Sequence, residues 1–122
     1  MQNIKMLHLN NSGEAVIANG ASLSGEIDVR GFSHLWVRMP AAWTAADIAL
    51  HTSEESGGTF SLLRDNAASA VIIDGCSTND SYVGINMLVG LRYVKLASVS
   101  AADPAVAVNQ AAARTIQYAM EV

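Results

Sequence analysis

Short apolar segments that alternate with polar residues recur along this chain, cut by turn residues at intervals near those of a β-sandwich. No other feature of the sequence limits its fold as strongly. KMLHLN reads as a first strand ended by NNSG, and EAVIAN as a second ended by NGAS. In GEIDVRG, Ile27 and Val29 point one way while Glu26, Asp28 and Arg30 point the other. HLWVRMP sets Leu35, Val37 and Met39 on one face, and Pro40 ends the run because it has no N–H for a ladder. DIALHTS and TFSLLRD flank the polar SEESGG and form a hairpin, with Gly57 and Gly58 free to take positive φ at the return. The turn RDNAAS leads into AVIIDG, and STNDS into YVGINML. LRYVKLASV follows, then the long connection SAADPAVAVNQAAA. In RTIQYAMEV, Ile116, Tyr118, Met120 and Val122 alternate with Thr115, Gln117, Ala119 and Glu121. The pattern predicts about nine or ten strands and very little helix. AAWTAAD is expected as a loop with Trp43 as a plug. The expected architecture is all-β, an antiparallel two-sheet sandwich of jelly-roll type.

The 122 residues form one expected domain, 1–122, with residues 1–12 (MQNIKMLHLNN and Ser12) as a candidate extended arm. Charged residues make up 15% of the chain, and its 7 Lys and Arg residues are scattered, which argues against nucleic acid and anionic membrane as partners. No apolar run reaches the ~18 residues of a membrane helix. The first residues do not read as a secretory signal, so a soluble protein that stays where it is made is expected. Low charge with much Ala, Gly, Ser and Val leaves neutral surface of the kind that partners cover.

Catalytic chemistry finds little support. His8, His34 and His51 lie far apart with no paired metal-ligand spacing. No nucleophile elbow or phosphate-binding loop is present, since ESGGTF lacks the Lys and the helix. Glu54 with Glu55, and Asp65, Asp74 and Asp80, sit where turns want them. The DGCSTND run has acids at both ends, a weak candidate cation site. Lone Cys76 reads as a buried or turn-edge thiol. The chain is expected to be no enzyme and to hold no cofactor or metal. Trp36 and Trp43 read as core or interface anchors, with sugar stacking as the rival.

Two resemblances follow from quoted residues. DIALHTSEESGGTFSLLRD followed later by LRYVKLAS resembles the strand order of discoidin-like (F5/8 type C) domains, without their terminal cysteines. Those are jelly rolls that bind glycans or lipid heads through loops. LSGEIDVRGF, RMPAAWTAADIALHTS, GGTF, GLRYVKLAS and PAVAVNQAAARTIQY, within residues 23–118, resemble small virion proteins of tailed bacteriophages. That resemblance implies a structural role in a virion assembled in the host cytoplasm, where disulfides are not expected. The expected function is capsid decoration or cement, by a homotrimer bound to the major capsid protein or other virion proteins. The candidate interface residues are Trp36, Met39, Pro40, Trp43, Pro104, Val106 and Val108. The N-terminal segment and the 100–113 connection are candidate arms. The alternative is a glycan-binding module of a tail or head fibre, using the SEESGG loop and Trp43.

Overall fold

The structure, a computed structural model, describes residues 10–73 and 82–122. Cys76, the DGCSTND run, His8 and the KMLHL segment lie outside the described residues. Nine strands are present among those described: β1 (Asn10–Ile17), β2 (Ile27–Asp28), β3 (His34–Arg38), β4 (Asp47–Ser53), β5 (Ser61–Leu62), β6 (Ile72–Ile73), β7 (Tyr82–Ile85), β8 (Tyr93–Val99) and β9 (Arg114–Glu121). They form two antiparallel sheets, a four-stranded one in the order β1-β9-β3-β7 and a five-stranded one in the order β2-β8-β4-β5, with β6 also on β4.

The five-stranded sheet has only four lateral positions. β5 pairs with the C-terminal half of β4 (His51↔Leu62) and β6 with its N-terminal half (Ile48↔Ile73). The two halves are stitched at Leu50, whose N–H donates to Val71 O and whose carbonyl accepts from Leu63 N–H. Between them residues 64–70 loop outward, closed by the Arg64↔Ala70 bridge and a turn in which Ala68 has a φ of 64°. With β5 and β6 taken as one strand, the sheets read 1-8-3-6 and 2-7-4-5, which is jelly-roll order.

The alternation seen in the sequence sets the two inner faces. Leu35, Val37 and Met39 are fully buried, as are Ile116, Ile48, Leu50, Val94 and Leu96. Each such Leu or Ile stabilises the fold by about 1.5–3 kcal/mol over leaving it in water. Trp43 sits 6% exposed as the expected plug, its indole N–H donating to Ala46 O at 3.1 Å. No helix forms at AAWTAAD.

Two expectations change. NNSG does not turn, because residues 10–17 pair with β9 without interruption. Gly13 stands opposite Tyr118, whose ring occupies the space of a Cβ at Gly13, with Oη 2.7 Å away. Glycine here therefore serves packing rather than a bend. At the SEESGG return, Gly57 takes positive φ (73°) and Gly58 does not.

The 100–113 connection folds back on its own sandwich. Ser100 N–H donates to Val106 O and Val108 N–H to Ser98 O, so the segment extends the line of β2 along β8. Gln110 then enters the interior, 1% exposed. Its Nε2 donates to Thr44 O (3.1 Å) and Ser98 Oγ (2.8 Å), and its Oε1 accepts from Thr44 N–H (2.9 Å). Its backbone pairs with Ala21 and Gly20.

Removing that amide strands the Thr44 backbone and the Ser98 hydroxyl together. Gln110→Ala is expected to cost about 2–4 kcal/mol in urea unfolding, because each buried group left unpaired costs about 1–3 kcal/mol. A loss below about 1 kcal/mol would show that water replaces the amide at little cost.

Candidate functional site

The outer face of the four-stranded sheet is built by the outward residues of four strands in register. One row runs Ser12–Ala119–Trp36–Gly84, a second Glu14–Gln117–Arg38–Tyr82, and a third includes Glu121 and His34. Trp36 is the large side chain of the first row and is 52% exposed. Its indole leans over Gly84, where a Cβ would stand 2.6 Å from the ring. Glycine lets the ring lie down on the sheet instead of standing off it. The Arg38 guanidinium lies over the Tyr82 ring, 5.6 Å from its centroid, so its charge sits above β7. Ser33 Oγ and His34 Nδ1 are 2.9 Å apart.

Three shallow depressions adjoin Trp36. One, of about 350 Å³, is lined by Asn11, Ser12, Ala119, Met120 and Glu121. A second, also about 350 Å³, is lined by His34, Gly84, Ile85 and Asn86. A third, of about 180 Å³, borders Arg38, Tyr82, Gln117 and Tyr118. None is a deep cleft of the kind that buries most of a small substrate.

The sequence-derived interface residues are split by the fold. Trp36 lies at the centre of this face, and Pro40 lines a neighbouring depression with Glu14 and Thr115. Met39 and Trp43 point into the core, and with 0% and 6% exposure they have almost no surface to offer a partner. Pro104, Val106 and Val108 belong to the connection beside β8, where Val106 is 51% exposed and Val108 packs against the core.

The glycan arrangement with Trp43 beside SEESGG does not assemble either. Trp43 precedes the N-terminal end of β4 and the loop follows its C-terminal end, seven residues apart, or roughly 20 Å at strand rise. The loop does form a polar depression of about 620 Å³ with Glu54, Glu55, Thr59 and Arg92. His34 and His51 lie on different sheets, and no cluster of three metal-ligating side chains occurs among the described residues.

The hairpin tip is tied down from β2. Glu26 accepts from the Ser56 hydroxyl and, at 2.8 Å, from Gly57 N–H. The Ser56 bond, then the Gly57 bond, hold its carboxyl below the usual range. On the outer face of the five-stranded sheet, burial and then Lys95 push His51 below its usual value. Both groups have lowered pKa values, so the stability each contributes is complete above its unfolded pKa and is lost as pH falls through the folded one. The protection of the Gly57 amide, the slowing of its exchange relative to a free peptide at the same pH, is expected to stay high at neutral pH and to fall as pH drops below about 4. In Glu26→Gln the protection should be lower at neutral pH and flat across that range, and undiminished protection in that variant would show that Glu26 does not hold the tip.

No protein-family model matches the sequence, and no curated protein matches it. Among solved structures, the chain is similar to the SPBc2 prophage-derived protein YomS. The match has a TM-score of 0.53 and 17% sequence identity over 93% of this chain and 96% of that one. At this identity the likeness is one of fold, an all-β sandwich shared over nearly the whole of both chains.

Proposed function

We propose that this chain is a structural virion protein of a tailed bacteriophage, a decoration or cement protein that self-associates and binds the capsid lattice. The observation that carries this reading is the fold shared with a prophage-derived protein over almost the full length of both. The resemblance of residues 23–118 to small virion proteins points the same way. The described surface adds an exposed, shallow sheet face centred on one tryptophan. Such a face suits contact with another protein surface better than capture of a small substrate. The mechanism is burial of surface at many identical sites, where avidity turns weak single contacts into stable attachment.

The test is mass spectrometry of purified particles of a phage that encodes this chain. The expected result is the protein in the particle at a copy number comparable with that of the major capsid protein. Recovery only from the infected-cell lysate, and not from particles, would remove the virion assignment. Recovery at a few copies per particle would remove the capsid-coating role.

A further inference from the structure

We infer that the outer face of the four-stranded sheet docks on the same face of a second copy, about a two-fold axis parallel to the strands between β9 and β3. The inference deepens the self-association part of the reading above and rests on it.

The register decides the geometry. A two-fold axis in that direction keeps each row in place and exchanges β9 with β3 and β1 with β7. Trp36 of one copy, leaning towards Gly84 on β7, then meets the partner's Ser12 and the partner's Ala119. Those small residues line one of the depressions of about 350 Å³, so the indole has a hole to enter. The Arg38 guanidinium, held above Tyr82 on β7, comes over the partner's Glu14 on β1. His34 comes over the partner's Glu121. Each contact occurs twice, as an isologous interface requires. An in-plane axis across the strands would instead set Trp36 on the partner's Trp36 and Arg38 on the partner's His34, which packs bulk on bulk and brings basic groups together.

Size limits the strength. Four strands at about 4.8 Å spacing and up to eight residues at about 3.4 Å give roughly 500 Å² per partner. The total of roughly 1,000 Å² is at the lower edge of specific interfaces. The contact is therefore weak alone and gains from repetition.

Sedimentation equilibrium from about 10 µM to about 1 mM should show a monomer–dimer equilibrium. Trp36→Ala should weaken it at least about tenfold while circular dichroism stays unchanged. Glu14→Arg should weaken it similarly, and Glu14→Arg with Arg38→Glu should recover part of the loss. A wild-type monomer at the top of the range, a trimer mass, or a Trp36→Ala variant that pairs like wild type would each overturn the two-fold contact. Particle mass spectrometry reads the virion role independently, so a monomer found in particles removes this interface and leaves that role standing.

Discussion

The Gln110 carboxamide is the polar contact on which the closed end of the sandwich depends. It is buried with both ends of its amide paired, to the Thr44 backbone and to Ser98 on β8. Its own backbone bonds to Ala21 and Gly20, in the chain that crosses from β1 towards β2. Three segments distant in sequence therefore meet on one residue. Arg114, at the start of β9, reaches the same Oε1 at 3.3 Å and Thr44 Oγ1 at 3.3 Å. Hydrophobic burial drives the two sheets together but is non-directional. The amide fixes where the Trp43 loop lies over the core and where the 100–113 connection must dock. A second polar stitch acts beside it: Ser24, 3% exposed, accepts from Leu96 N–H through its hydroxyl while its own N–H bonds to Leu96 O.

These stitches leave the two outer faces unequal. On the five-stranded sheet, the outward Ala49, Ala97 and Val99 are buried and pack with Leu62. Side chains lie across that face, Lys95 over the Phe60 ring and Arg30 over Tyr93 while paired to Asp28, and the segment around Ala107 pairs with the edge of β8 at Val99. The four-stranded sheet has no comparable cover among the described residues, and Trp36 lies open upon it. In an ordinary sandwich both outer faces are polar. Here one face packs small apolar residues against Leu62, and the other presents an aromatic ring among small and charged neighbours.

Strands whose faces alternate cleanly were legible from the sequence. β3 and β9 turn inward the residues that alternation assigns there, with Tyr118 partly buried and the terminal Val122 exposed, and β4 spans the stretch read from DIALHTS. The first half of β1 was hidden because Asn, Ser and Gly are turn formers, while its second half lies in the stretch read from EAVIAN. Only the distant Tyr118 ring explains Gly13, and no local pattern encodes such a contact. Gln110 was missed for the same reason, since its partners lie 12 and 66 positions away. Within the candidate site, the exposure of Trp36 is decided by strand parity: His34, Trp36 and Arg38 fall opposite Leu35, Val37 and Met39. The same parity put Met39 inside, which counting aromatic and proline neighbours as interface residues had overlooked. Trp43 shares its residue type with Trp36 and has the opposite fate, because it lies in a loop that closes the core.

The position of Trp36 has an energetic consequence. A ring half exposed on a sheet gives up part of the stabilisation that full burial would supply, about 1.5–3 kcal/mol for a large apolar side chain. Its two row neighbours are Ala119, too small to cover it, and Gly84, where the ring takes the space of a Cβ. Gly84 also weakens its own strand, since glycine loses more freedom on folding than any other residue. Within one copy the ring rests on Gly84 as a cross-strand contact, and about half of it stays open beside an alanine. In the two-fold contact proposed above, the glycine lowers the ring onto the sheet, and the alanine leaves a hole at the matching position of an identical face. In that proposed contact, apolar surface left open on the single copy would be buried, with each copy supplying both the ring and the hole.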